Sequence, residues 1–310
     1  MGIPFGALSA LLLSLPVEAI AQAPSASPPS PDAAAVMRML SAPPTSRALR
    51  GGAYWVDGPI SNAGFIVGRS GVIVIDAQIS VPATKAMLAQ IAALTSKPIT
   101  TVILTHSDPD HINGLPAFAR TVKVIAQEKA SAEIAQVVLD PQSNGMPPPP
   151  GIKDYVPKHR VAHTEKLLVD GVHLLLVHTS PAHTDGDLLV FLPSQKLVFA
   201  GDLLTPAIGD YPGVHLEKHG SSLGWLKSVE AMLSLDANLF VSGHGVPLTR
   251  PEVEVRLEAA KTRRAEIQAM VAKHATLSEI KAAVDDMPLP GVAARFPTFT
   301  ETTYQELTRP

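Results

Sequence analysis

The segment Thr105-His-Ser-Asp-Pro-Asp-His-Ile-Asn-Gly114 places four potential metal ligands within six residues: His106, Asp108, Asp110 and His111. Imidazole mixed with carboxylate suits a borderline or hard divalent ion, and the number of donors suits a pair of ions. Such a pair generates hydroxide at neutral pH and performs hydrolysis. Three further segments carry the same residue types. Ser180-Pro-Ala-His-Thr-Asp-Gly-Asp187 presents His183, Phe199-Ala-Gly-Asp202 ends on Asp202, and Val241-Ser-Gly-His-Gly245 presents His244. One histidine alone is more often structural than ligating, because imidazole tolerates many environments. The case rests on joint occurrence, each donor lying in a loop beside a short apolar run.

Those runs are the elements that must position the donors. Gly71-Val-Ile-Val-Ile75 is continuous and β-branched, as in a strand buried on both faces, and it ends at Asp76. Residues 82–94 carry helical spacing, and Ile99 to Leu104 is the strand before the ligand loop. Strand, helix, strand and loop describe a βαβ unit with its site at the C-terminal end of a strand. Residues 53–56 and 64–67 read as strands before it, and 123–126 and 130–138 as a strand and a helix after it. Residues 140–160 have no periodicity and read as a long surface loop or lid, whose Met146 and Tyr155 form one wall of a pocket. Strands at 174–177, 188–192 and 197–200 predict an antiparallel or mixed second sheet, followed by a helix at 225–233 and a strand at 239–242. From Thr249 the chain turns helical. Capping boxes stand at Thr249 to Glu252 and Thr276 to Glu279.

Taken in order, Ile75-Asp76, the 105–114 loop, Pro181-Ala-His183, Gly201-Asp202 and Gly243-His-Gly245 resemble the motifs of the metallo-β-lactamase fold superfamily, over residues from about 51 to 250. The resemblance implies an α/β fold, a four-layer α/β/β/α sandwich of two mixed β-sheets flanked by helices, with a cleft at one edge of the sheets. It implies that His106, Asp108 and His183 hold a first metal, that Asp110, His111 and His244 hold a second, and that Asp202 bridges the two. Asp76 resembles a buried family carboxylate that supports the ligand loops; an ordinary strand-end hydrogen-bonding role fits it equally. The family pattern His-x-His-x-Asp-His is broken at Asp108, where the second histidine is an aspartate. A carboxylate still binds zinc, but it adds negative charge and admits iron or manganese. Either both sites fill or site one is weak and only site two does. A carboxylate here also resembles the diiron branch of the superfamily, which carries a flavodoxin-like domain; only about 65 largely helical residues follow His244, which disfavours redox chemistry.

The chain has 310 residues, 46% of them hydrophobic, enough for a sizeable core, and a net charge of -3 that offers nucleic acid no basic field. There is no cysteine, so no thiolate serves as ligand or nucleophile. Phe5 to Leu15 is mostly apolar and Ala21-Gln22-Ala23 is a small-x-small cleavage pattern, although no Lys or Arg precedes Arg38. Residues 1–23 are expected to be a signal peptide, 24–45 a flexible Pro/Ala/Ser-rich leader, and 46–310 one domain with a helical extension from about 249. Two other motifs are discounted. Gly220-Ser-Ser-Leu-Gly224 lacks the buried strand that a nucleophile elbow needs, and Ser278-Glu-Ile-Lys281 lies inside a capping box. His215, Glu217 and His219 follow Asp202 closely; one of them orients a substrate or donates a proton, or all three form a solvated polar loop.

The expectation is an exported, periplasmic or secreted dinuclear hydrolase with two divalent ions, zinc first and iron or manganese as alternatives. A metal-bridging hydroxide, oriented by Asp110, would attack a small ester, lactone, amide or thioester. The narrower alternative is a β-lactamase. The contrasting one is a non-catalytic metal-binding protein on the same fold. The partner is a small molecule, with no nucleic acid and no stable membrane insertion after processing; the sequence leaves the oligomeric state open.

Overall fold

Strand periodicity sorts the apolar side chains into three layers. In β4 (Val72–Ile75), Val72 and Val74 point to one face while Ile73 and Ile75 point to the other. In β11 (Leu197–Gly201), Val198 and Ala200 face one way, Leu197 and Phe199 the other. Ile73, Ile75, Leu197 and Phe199 meet in a common core between two sheets, so both strands are buried on both sides. The computed structural model describes residues 31–139, 147–206, 210–286 and 297–309.

The first sheet has seven strands in sequential order: β1 (Thr45–Ala48), β2 (Ala53–Asp57), β3 (Ala63–Val67), β4, β5 (Ile99–Ile103), β6 (Lys123–Gln127) and β7 (His159–Val161). β1 to β4 pair antiparallel and β4 to β7 parallel. Parallel neighbours need crossovers, and helices supply two of them: α2 (Val81–Leu94) between β4 and β5, and α4 (Glu128–Leu139) after β6. Met87 and Ile91 of α2 and Ala130 and Ile134 of α4 cover the outer face.

The second sheet has the order β13 (Leu248–Thr249), β12 (Leu239–Ser242), β11, β10 (Leu189–Leu192), β9 (Val172–Val177) and β8 (Thr164–Val169). It is antiparallel except for the parallel pair β11/β12. Its outer face is closed by Trp225, Val229 and Met232 of α5 (Ser222–Ser234), by Val253, Leu257 and Ala260 of α6 (Arg250–Val271), and by Phe299 of α8 (Phe299–Thr308). The layers are helix, sheet, sheet and helix, as the resemblance implied.

Several expectations need correction. The ligand loop contains a short helix, α3 (Pro109–Ile112), with proline in its first turn. Part of the supposed flexible leader is helical, α1 (Pro31–Leu40), and its end and the chain after it are tied to α2 and its cap: Ser80 Oγ donates to the Leu40 carbonyl at 2.6 Å and Gln90 Nε2 to the Pro44 carbonyl at 2.6 Å. Residues 1–30, including the expected signal peptide, lie outside the described residues. No helix among the described residues is long and apolar enough to cross a membrane. Tyr155 does not line a pocket over the ligands. It is buried against the outer face of the first sheet, and its hydroxyl donates to the Phe118 carbonyl at 2.5 Å. Met146 falls outside the described residues.

Candidate metal centre

The loops that follow β4 and β5 in the first sheet face those that follow β11 and β12 in the second. Both pairs are parallel, so four strand ends open on one side, where backbone is free to carry functional side chains. Asp76 follows β4 in a left-handed conformation, φ 60°, which turns its carboxylate back under the ligand loop. There it accepts from the Thr105 backbone N–H at 2.7 Å, the Thr105 hydroxyl at 2.7 Å and His111 Nδ1 at 2.9 Å. Of the two roles open to Asp76, loop support is the one the geometry shows.

The remaining loops are pinned similarly. Asp187 accepts from the Thr184 backbone N–H at 3.1 Å and its hydroxyl at 2.7 Å, which fixes the turn carrying His183. Asn62, between β2 and β3, donates to the carbonyls of Ser242 and Gly245 at 2.8 and 2.6 Å, tying the first sheet to the His244 loop. Only glycine fits at 243, because a Cβ there would stand 1.8 Å from Asp202 Oδ1.

All seven expected ligands are brought together. His106 Nε2 lies 3.6 Å from Asp108 Oδ2 and 4.0 Å from Asp202 Oδ2, and His183 Nε2 lies 3.2 and 3.7 Å from the same two oxygens. On the other side, His244 Nε2 is 3.3 Å from Asp110 Oδ2 and 3.1 Å from Asp202 Oδ2, and His111 Nε2 is 3.5 Å from Asp110 Oδ2 and 3.2 Å from Asp202 Oδ1. Asp202 is the shared member, within reach of every one of the four imidazoles. Each ring has its Nδ1 engaged: His106 by the Thr105 hydroxyl, His111 by Asp76, His183 by the Gly213 carbonyl and His244 by the Ile60 carbonyl. A held Nδ1–H leaves the Nε2 lone pair for a metal, the arrangement that ligating histidines adopt.

The donor set also fits metals by what it lacks. His106 Nε2, His111 Nε2 and Asp202 Oδ1 are buried and make no hydrogen bond, a costly state for polar atoms that a cation relieves. Electrostatics agree. Burial opposes charge on every group, yet Lys218 and His106 hold the Asp108 carboxyl well below the usual range, and His244 and His111 do the same for Asp202. Burial likewise disfavours imidazolium, but the neighbouring carboxylates push His183 up to about 9 and His244 up to about 10. The carboxylates demand positive charge at this point, supplied by protons on imidazole or by a cation.

One feature went unread in the sequence, and another was left open among three residues. Lys218 donates to Asp108 Oδ1 at 2.6 Å and lies 2.9 Å from Glu133, whose other oxygen accepts from the Ser107 hydroxyl. This buried ammonium offsets the charge introduced by aspartate at 108. His215 also reaches the centre, its ring packed edge-on against His183 with centroids 4.6 Å apart. His219 is exposed at a left-handed position closing a single turn. The discounted motifs behave as expected. Ser221 caps α5 and Ser222 bonds to Glu306, while Ser278 lies within the capping box of α7 (Leu277–Ala283).

A family description, Metallo-beta-lactamase superfamily, matches residues 56–244. The chain belongs to that superfamily. Among its relatives is the 2,4-dinitroanisole O-demethylase subunit alpha of Nocardioides sp. (strain JS1661), 24% identical over 217 residues, covering 69% of this chain and 61% of that protein. The linear primary-alkylsulfatase of Pseudomonas sp. (strain ATCC 19151) is 22% identical over 219 residues, covering 59% of this chain and 41% of the relative. Among solved structures, the sec-alkylsulfatase Pisa1 from Pseudomonas sp. superposes with a TM-score of 0.65 at 20% identity, over 86% of this chain and half of that one (50%). The chain thus spans less than two thirds of each of these proteins, and the structural likeness establishes the shared superfamily fold.

Proposed function

We propose that this chain is an exported, dinuclear metal-dependent hydrolase of a small ester, lactone, amide or thioester. The carrying observation is the pair of facing donor sets that share Asp202, with buried ring nitrogens left unbonded toward the space between them. His106, Asp108 and His183 would hold one ion, and Asp110, His111 and His244 the other. Zinc best suits a set dominated by imidazole, with iron or manganese admitted by the carboxylates. Two such ions supply Lewis acidity and a hydroxide nucleophile at neutral pH.

The chain's own residues supply orientation. Asp202 is buried and fixed by Gly243 behind it, so it sets the spacing between the two halves of the centre. Asp110 has 18% of its side chain exposed, more than the other carboxylates of the set, so it faces the side from which substrate arrives. There its carboxylate, held below the usual range by His111 and His244 against the cost of burial, would orient the attacking group. Superfamily membership and an alkylsulfatase among the relatives support hydrolysis in general. The choice among carbonyl substrates rests on the chemistry of the centre. Export rests on the apolar run and cleavage pattern near the N-terminus.

The test combines elemental analysis of protein purified without chelator with turnover of a panel of esters, lactones, thioesters and β-lactams. About two metal ions per chain and turnover abolished in a folded Asp202→Ala protein are expected. Bound metal with no turnover anywhere in the panel would favour a non-catalytic metal protein, and full activity in folded Asp202→Ala would sink the mechanism. N-terminal sequencing of the mature protein from a periplasmic extract checks export.

A further inference from the structure

Histidines that bind metal carry a mark: one ring nitrogen is held by the protein and the other faces the ion. Four histidines of the centre carry it, and so does a fifth. His215 Nδ1 lies 2.5 Å from Glu217 Oε1, and its Nε2 points inward, 3.8 Å from Asp108 Oδ2. Asp108 Oδ2 therefore has three imidazoles around it, with Nε2 of His183 at 3.2 Å, His106 at 3.6 Å and His215 at 3.8 Å. Donor atoms of Asp108, His183 and His215 all lie within 4.8 Å of one another. Around a tetrahedral zinc with bonds of about 2.0–2.1 Å, ligand atoms stand roughly 3.3 Å apart, so a small inward shift closes the set.

We propose that His215 is a protein ligand of the first metal and replaces, from another loop, the histidine missing at position 108. Asp108 is suited to join it through one oxygen only, since Lys218 occupies the other at 2.6 Å. The loop is built to hold His215 there. The His215 backbone N–H donates to the His183 carbonyl at 2.8 Å, the Ser221 N–H to the Ala182 carbonyl at 2.9 Å, and the Asp185 N–H to the Lys218 carbonyl at 3.0 Å. Residues 215–221 are thereby laced to the turn that carries His183. Gly220 permits this contact, because a Cβ there would come within 2.4 Å of the His183 carbonyl oxygen.

This inference rests on the metal-dependent reading above, and the experiment separates the two. Wild type, His215→Ala, His215→Gln and His219→Ala are stripped of metal and titrated with Co2+ and Zn2+ against a chromophoric chelator, with the visible Co2+ spectrum recorded. Wild type and His219→Ala should bind two ions. Both His215 variants should bind one ion as wild type does and the other at least about tenfold more weakly, with altered intensity in the Co2+ bands of that site. The retained ion reports that the fold survives. Two ions at wild-type affinity with an unchanged spectrum in His215→Ala overturn the ligand assignment and leave the hydrolase reading standing. One ion in wild type, indifferent to His215, also overturns the assignment. No ion in wild type overturns both.

Discussion

Asp76→Asn tests whether a residue that touches no metal sets the chemistry of one that does. Asparagine keeps the volume and tolerates the left-handed backbone at this position, φ 60°, so the fold should survive. Its Oδ1 can still accept from the Thr105 N–H, now 2.7 Å from the carboxylate. Its Nδ2 then replaces the oxygen that His111 Nδ1 meets at 2.9 Å and that the Thr105 hydroxyl meets at 2.7 Å. Two donors cannot face each other, so His111 must accept at Nδ1 and carry its proton on Nε2, the nitrogen that faces Asp202 Oδ1 at 3.2 Å. A protonated Nε2 cannot bind an ion. Restoring the ligating tautomer sacrifices the Nδ1 hydrogen bond, and losses of this kind weaken metal binding by about 10–100-fold, or about 1.4–2.8 kcal/mol. Losing a charge-assisted bond should also lower folding stability by about 1.5–3 kcal/mol. Chelator competition reads the first quantity and urea denaturation of the metal-free protein the second. A folded Asp76→Asn protein that binds both ions as tightly as wild type would refute the tautomer argument.

Other perturbations probe the rest of the centre. Gly243→Ala puts a methyl group 1.8 Å from Asp202 Oδ1; about 1–3 kcal/mol of stability and most metal binding should be lost, and unchanged metal content would show that the loop yields freely. Lys218→Met leaves Asp108 and Glu133 without their shared ammonium and should destabilise the metal-free protein by about 3–5 kcal/mol in denaturant titration, with added metal recovering part of the loss; a change below about 1 kcal/mol would mean that solvent screens the pair. Metal uptake should release protons near pH 8, because His183 and His244 titrate at about 9 and about 10 and must deprotonate to bind. Metal affinity should accordingly rise with pH until those values are passed. The protonated rings also stabilise the metal-free fold, fully below an unfolded histidine pKa of about 6.5 and no longer once pH exceeds the folded values. An indicator-dye titration showing no proton release at pH 8 would contradict the charge reading.

What the sequence disclosed followed how local each signal is. The 105–114 loop packs four ligands into one turn after a strand, and His183, Asp202 and His244 each sit beside an apolar run, so the set was readable without a structure. Lys218 was not, because its partner Asp108 lies 110 positions away and a lysine among polar neighbours has no pattern of its own. His215 was flagged with Glu217 and His219, but choosing among three polar residues needs the fold that turns one ring inward. α8 lay inside the helical extension expected from about 249 but had no bounds of its own, because its buried positions include Thr300, Thr302 and Thr303, which give no apolar periodicity. Tyr155 was misplaced because a tyrosine in an aperiodic stretch suits a pocket wall and a buried hydrogen-bonded anchor equally well.

The distribution of donors between the sheets has a consequence for folding. His106, Asp108, Asp110 and His111 come from the first sheet, and His183, Asp202 and His244 from the second, so each proposed ion would draw ligands from both. Neither site can exist until the sheets dock. Docking without a cation brings Asp202 within 4.0 Å of rings that also face Asp108 and Asp110, a cluster of carboxylates whose charge is left to imidazole protons and Lys218. The fold meets this with fixed counter-charge on the Asp108 side, Lys218, and with polar clamps across the seam, Asn62 to Ser242 and Gly245 and Ser61 to the Asp110 carbonyl at 2.6 Å. On the Asp110 side the described residues supply only imidazole. The second site therefore depends more on its ion, and at one hundred times its dissociation constant that ion would add about 2.7 kcal/mol to the docking of the sheets. Metal at the proposed sites would then be structural cement between the halves of the molecule as well as chemistry, and a substitution at His111 or His244 should loosen the seam where one at His106 leaves Lys218 still holding it.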